Sequence, residues 1–504
     1  MSTPKQEPFS PSRLHAMPAL MSACVVVVVA MVAAINLALP KLSGSSLAPS
    51  STELLWIVDA YILVFGCMLI PAGALGDRIG RKGVLLAGLS VFATGCLISA
   101  AAPSVAILLA GRVVTGLGAA LVMPATLSLL LEVTPPQRKG HAIATWTAAT
   151  GAAGALGNLG GGLVLQWMPW QGLFLVVAPI AGLLAAAVAR IAPRSERHPA
   201  SLDLIGASLL TGTVFAVLVA IIEGPESGWT SPLVIGSFII GLAVFAAFVI
   251  RSLRVADPLL DPRIFTIAKL RTGTFGIGAV FFGLFALFFV NAQYLQYAKG
   301  YSPIVTGVAI LPLPIGMIIV SRRSIAIAAH YGTRPVVAAG MVLVAAGLTA
   351  LSFATAAMPY LPYAVALLAI AAGMGLSVPS LSTGIMTSLP PARAGMGSGL
   401  NSAAREIGAA LGIAIIGTVL SREFTGALPK TLDGGADSTS QALREAQRLG
   451  PAVSAEAVDA FTTAMTNGYR VIAAVVLVAA GLVFRGLAAP APTSPRIDQQ
   501  PVGA

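Results

Sequence analysis

Apolar runs long enough to cross a bilayer recur along this chain, and nothing in it constrains the fold more. A spanning helix needs about 20 mainly apolar residues. Fourteen stretches qualify, near 17–40, 52–75, 84–102, 105–131, 141–167, 172–191, 203–222, 231–250, 272–297, 303–321, 335–355, 361–384, 396–420 and 468–488. With 57% hydrophobic and 10% charged residues among 504, and a mean hydropathy of +0.89, the chain is far too apolar for a soluble domain of its size. The expected fold class is an all-α polytopic membrane protein.

The formal net charge of +11 follows the loops. If both termini are cytoplasmic, the inside loops hold Arg138 and Lys139, then Arg190, Arg194 and Arg197, then Arg251, Arg254, Arg263, Lys269 and Arg271, then Arg322, Arg323 and Arg334. The short outside loops hold only Lys41 and Lys299. Omitting one span would invert every later loop and destroy this bias, so fourteen spans and two cytoplasmic termini in the cell's inner membrane are expected together. The bases form no cluster interleaved with aromatics, which argues against a nucleic-acid partner. Cys24, Cys67 and Cys96 each fall inside an apolar run and read as packing residues. Residues 1–16 read as a cytoplasmic tail before a retained first helix, and 489–504 as a second tail.

One charged turn stands out between the second and third runs: Gly73-Ala74-Leu75-Gly76-Asp77-Arg78-Ile79-Gly80-Arg81-Lys82. Three bases against one acid put it on the cytoplasmic side. The pattern G-x-L-x-D-R-x-G-R-K resembles the signature loop of the major facilitator superfamily, whose members are secondary transporters of small solutes. Residues Gly73, Asp77, Arg78, Gly80, Arg81 and Lys82 carry the match, and the resemblance implies a conformational gate. Ala329-His330-Tyr331-Gly332-Thr333-Arg334 resembles a worn copy, with Gly332 at the place of Gly80, Arg334 at that of Lys82 and Ala329 at that of Asp77. Two duplicated six-helix halves are therefore expected, 17–191 and 272–488, with an inserted helix pair at 203–250. The second half includes an outer loop, 421–467, in which Gln441–Leu449 and Ser454–Met465 read as two short amphipathic helices around Gly450-Pro451.

Ionisable side chains inside spans are functional by default. Arg112, in Gly111-Arg112-Val113-Val114-Thr115-Gly116-Leu117-Gly118, resembles the family's R-x-x-x-G-x-G motif, which implies proton coupling; tying helices through backbone carbonyls is the alternative. Asp59 lies in Trp56-Ile57-Val58-Asp59-Ala60-Tyr61, similar to the sequence of fourteen-helix exporters of quaternary ammonium compounds. Asp59 and Arg112 each lie roughly 10 Å inside the outer ends of their helices, so depth allows them to pair. Glu406, beside Arg405 near mid-membrane, is a further protonatable candidate. Adjacent helical positions diverge by about 100°, so Arg405 and Glu406 do not face each other.

The fifth run, with Gly154, Gly157, Asn158, Gly161 and Gly162, resembles the antiporter motif G-P-x-x-G-G, with Asn158 at the proline position. The first run ends Asn36-Leu37-Ala38-Leu39-Pro40, which resembles L-D-x-T-x-x-N-x-A-L-P, but Met31 stands at the acid and Ala33 at the threonine position. Phe281, Phe282, Phe285, Phe288 and Phe289, followed by Asn291, Gln293 and Gln296, form an aromatic stripe that is either a packing face or part of a substrate path. Asn36, Tyr61, Phe285, Asn291 and Gln293 are the candidates for that path.

The chain is thereby identified as resembling the fourteen-helix drug:proton antiporters, and the resemblance implies proton-coupled efflux of drug-like molecules. A dedicated exporter of one antibiotic or metabolite is the alternative, and a non-transporting scaffold or sensor a more distant one. No phosphate loop, zinc spacing or nucleophile elbow occurs, so neither an enzyme nor a bound cofactor or metal is expected. The expected partners are a small-molecule substrate, protons and lipid, with a monomer as the working unit.

Overall fold

The computed structural model describes residues 11–193, 195, 203–428 and 439–487. Residues 1–10 and 489–504, read as tails, lie outside the described residues, as do Arg194 and Arg197. Among the described residues all regular structure is helical, and fourteen helices are long and apolar enough to cross a membrane. The reason is physical: hydrocarbon offers no partners to backbone N–H and C=O groups, and a helix satisfies them within the segment.

The first six spans are α1 (Pro11–Ser43), α2 (Ser51–Ile79), α3 (Arg81–Ala100), α4 (Val105–Val133), α5 (Lys139–Trp167) and α6 (Gln171–Ile191). Then come α7 (Leu204–Ser227) and α8 (Pro232–Ser252), which pack on each other. The last six spans are α9 (Ala268–Gln293), the broken pair α10 (Pro303–Ile310) and α11 (Pro312–Tyr331), α12 (Thr333–Leu351), α13 (Tyr360–Thr387), α14 (Ala394–Gly426) and α16 (Pro451–Gly486). A short α15 (Thr439–Leu449) precedes the last.

The helix boundaries follow local chemistry. Ser50 and Glu53 form a reciprocal capping box at the start of α2, and Ser104, Ser231 and Ser302 each accept from the amide three residues on. Pro312 removes a backbone donor where α10 gives way to α11. Two boundaries differ from the sequence reading. Helix α1 already begins at Pro11, inside the segment read as tail, and α16 runs unbroken from Pro451, so Ser454–Met465 is the start of the final span rather than a separate helix. Proline at the first position favours helix initiation, and no breaker follows it.

Helix α7 packs against both α2 and α14. Trp229 ties the α7–α8 turn to α14 by donating Nε1–H to Thr418 Oγ1 at 2.9 Å. The carboxylate of Asp203 caps α7 through Gly206 N (2.8 Å), accepts from Leu259 N (3.2 Å) and pairs with Arg251 at 3.0 Å. Two lysines tie separate segments together: Lys41 donates to the carbonyls of Leu165 and Met168 at the end of α5, and Lys299 to those of Ala356 and Met358 in the turn before α13. A cation among the last carbonyls of a helix, as Lys41 is at α5, is stabilising. The three cysteines are free and buried.

Candidate functional site

The charged turn is a clamp. Between α2 and α3, Gly80 adopts φ 106°, a conformation in which a side chain would be strained, and this sharp reversal brings Asp77 and Arg81 together. The Asp77 carboxylate accepts from Gly395 N at 2.8 Å and Met396 N at 2.9 Å, the second and third amides of α14. Helix N-termini present unsatisfied N–H groups and positive dipole ends, so a carboxylate fits there. Arg81 binds Asp77 through Nε (3.2 Å) and Nη2 (3.0 Å), Glu132 of α4 through Nη1 (3.1 Å), and the Pro391 carbonyl at 2.7 Å. The backbones of α2 and α14 touch at Gly73 and Gly395: a Cβ on Gly395 would stand 2.3 Å from the Gly73 carbonyl oxygen. Lys82 donates to the carbonyls of Ala189 and Ala192 at the end of α6. Arg78 faces a cavity of about 130 Å³ shared with Asp257 and Arg393.

The second copy of the turn keeps the backbone and loses the carboxylate. Gly332, with φ 91°, repeats the conformation of Gly80, and Arg334 donates to the Phe484 carbonyl near the end of α16 while lying 3.8 Å over the Phe484 ring. A signal not used in the sequence reading accompanies it. Pro135-Pro136-Gln137-Arg138-Lys139-Gly140 and Pro390-Pro391-Ala392-Arg393-Ala394-Gly395 both fold as a 3₁₀ turn leading into a helix, α5 and α14 respectively. Asp77 grips the second of these. At the first, Ala329 has no carboxylate to offer, and the neighbour of Gly140 is Ile325 of α11.

Inside the membrane the expected residues divide. Arg112 is fully buried; its Nε donates to the Ile57 carbonyl at 2.8 Å and its guanidinium lies 4.6 Å over the Tyr61 ring. Its Nη1 and Nη2 have no hydrogen-bond partner, so no hydrogen bond joins Arg112 to Asp59, although depth alone allowed one. Ile57 and Asp59 point about 200° apart around α2, and Arg112 approaches the Ile57 side. Asp59 is half-buried. Glu406 is half-buried too and turns toward α2, its Cβ 3.9 Å from where a Cβ on Gly66 would stand. Arg405 points elsewhere, against Trp146 of α5 and Phe281 of α9, 4.8 and 4.7 Å from the ring centroids. Local spacing gave no sign of the α5 contact.

Of the α5 glycines, Gly157 and Gly161 press on Ala30 and Ala34 of α1, where an added Cβ would clash. Gly154 has open space before it, Gly162 almost so, and Asn158 is exposed. The substrate-path candidates lie on α1, α2 and α9. Tyr61 spends its hydroxyl on the Val28 carbonyl (3.0 Å), while Asn36, exposed, and Gln293, half-buried, are bonded to their own helices. Asn291 is buried and accepts from the Tyr363 hydroxyl at 2.6 Å. Phe285 is half-buried, between Phe281 and Phe288 in an aromatic ladder. Met31, at the family's acid position, is buried in the core.

A family profile described as Major Facilitator Superfamily matches residues 21–413. Puromycin resistance protein pur8 of Streptomyces alboniger is 35% identical over 395 residues, covering 76% of this chain and 77% of that protein. Multidrug efflux pump LfrA of Mycolicibacterium smegmatis is 30% identical over 464 residues, covering 89% and 92%. A solved bacterial homolog of the human lysosomal transporter Spinster, inward-facing and unoccupied, superposes with a TM-score of 0.60 at 18% identity over 96% of this chain and all of that one, a likeness of fold.

Proposed function

The chain belongs to the Major Facilitator Superfamily, and from that premise we propose that it exports drug-like small molecules from the cytoplasm in exchange for protons. The reading rests above all on the clamp of Asp77, Arg81, Glu132 and the α14 N-terminus, an ionic latch at one end of a membrane bundle. The relatives named as a resistance protein and an efflux pump supply the direction of transport. In this reading the protein lies in the cytoplasmic membrane with both termini inside. Segments 17–191 and 272–488 are the two moving halves, and 203–250 is an inserted pair. The clamp holds their cytoplasmic ends together, and its release admits substrate.

Asp59 and Glu406 are the carboxylates that take up and release protons, and Arg112 sets the field around them. One charge moved through ~100 mV supplies ~2.3 kcal/mol, roughly a 40-fold gradient. A proton is useful only if it binds one state better than the other, so protonation must favour either clamp release or substrate release. Met31, apolar where the family's cation exporters place an acid, favours a narrow substrate range as the second reading.

Respiring inside-out vesicles test the proposal. Addition of ethidium or of an anionic or neutral antibiotic is expected to collapse part of the pH gradient with the wild type, and less with Asp59→Asn or Glu406→Gln. A response equal to that of empty vesicles across the panel would overturn export by proton exchange.

A further inference from the structure

One face of α14 carries Ser398, Asn401, Ser402 and Arg405, at the three- and four-residue spacing that aligns side chains on a helix. All four are at most 1% exposed, and Ser398 Oγ, Asn401 Nδ2, Ser402 Oγ and Arg405 Nε and Nη1 have no hydrogen-bond partner. Asn401 Oδ1 is already taken by the Ser382 hydroxyl at 2.9 Å, so what Asn401 still offers is a donor. Arg405 Nη2 makes only a 3.5 Å contact with Thr147 Oγ1 of α5. No hydrogen bond from Arg405 reaches Glu406.

Buried polar groups without partners are costly and call for an occupant. The unmet groups here are mostly donors, with two hydroxyls that can act either way. The complementary ligand therefore brings acceptor oxygens, and against a guanidinium it brings a negative one. Trp146 and Phe281, which lie against Arg405, continue through Phe285 to Phe288, an apolar surface for the body of such a molecule. The face runs from Ser382 of α13, bonded to Asn401, to Trp146 and Thr147 of α5, which Arg405 touches across the two proposed halves, so its Arg405 end opens when they part.

We propose that Ser398, Asn401, Ser402 and Arg405 form a recognition track for substrates bearing an anionic oxygen, a carboxylate or phenolate on an aromatic or aliphatic body. Arg405 takes the anionic oxygen, Asn401 a second acceptor, and the aromatic ladder the apolar part. This rests on the export reading above and adds the substrate class.

The test uses the full chain in proteoliposomes with an imposed pH gradient, following accumulation of fluorescein as the anionic probe and ethidium as the cationic one. The wild type is expected to accumulate fluorescein. Arg405→Gln should lower that accumulation at least about tenfold and leave ethidium within about twofold, with Arg405→Lys in between. Asn401→Leu should give the same selective loss, and serves as the readout if Arg405→Gln fails to fold. Accumulation of ethidium without fluorescein overturns the recognition track and leaves export standing, as does an equal loss of both probes in a folded variant. Accumulation of neither probe defeats export and this inference together.

Discussion

Replacing Asp77 by Asn tests the clamp at its centre. The carboxylate accepts four bonds: Gly395 N and both Arg81 nitrogens on Oδ1, and Met396 N on Oδ2. Asparagine keeps one oxygen. Placed at the Oδ1 position, it leaves the Met396 amide facing an NH₂ group, and Arg81 loses a buried counter-charge, with Glu132 left as its partial substitute. A lost charge-assisted bond costs ~1.5–3 kcal/mol, and breaking a buried ion pair from one side ~3–5 kcal/mol. Since Glu132 remains, we take ~3 kcal/mol, a shift of roughly 150-fold in the closed-to-open ratio. A gate 99% closed would become about equally open and closed. Spin labels on Ile79→Cys and Thr387→Cys, both exposed positions beside the clamp, report the gap by pulsed electron resonance. The natural thiols are buried and stay unlabelled. The wild type should give one short distance, and Asp77→Asn a second, longer population of comparable size. An unchanged distribution in a folded Asp77→Asn protein would falsify the assignment of gate closure to this carboxylate.

Three further outcomes are expected. Gly395→Ala places a methyl 2.3 Å from the Gly73 carbonyl oxygen, so the gate should open in the same label assay even with Asp77 intact, at a cost of ~1–3 kcal/mol. Gly80→Ala, forced to φ 106°, should lower thermal stability by ~1–3 kcal/mol, and Gly332→Ala by a similar amount. Asp203 titrates outside the spans: burial raises its pKa, but the bonds from Gly206, Arg251 and Leu259 outweigh that and hold it below the usual carboxylate value of 3.8. Its contribution is fully present above pH ~4 and is lost as pH falls through the lowered value. Asp203→Asn should therefore unfold at a lower temperature than wild type near neutral pH, with the difference shrinking as the solution is acidified below pH ~4. A constant difference would show that the charge is not what matters.

The spans and the Asp77 turn were legible because both are local: length and hydropathy set the first, and spacing over ten residues set the second. The candidate site was legible only in part. Which way Arg112 reaches depends on azimuth, and depth along the helix says nothing of it; hence depth left a pair with Asp59 open, whereas the Nε–H goes to the Ile57 carbonyl. Arg405 was visible as a charge, but its contact with Trp146 joins positions far apart in sequence that only tertiary packing brings together. The repeat of Pro135–Gly140 at Pro390–Gly395 was present in the letters and would have pointed to the partner of Asp77.

Arg81 is held in common by Asp77, Glu132 and the Pro391 carbonyl, and this sharing bears on leak. When one partner departs, the guanidinium is free to drift and the remaining bonds lose their alignment, so the clamp favours release as a unit over release in stages. A partly released clamp would be a water-filled seam, through which protons could run down their gradient without carrying anything out. On the proposed export reading, one arginine shared among three elements would make such intermediates scarce and so keep the membrane tight between turnovers.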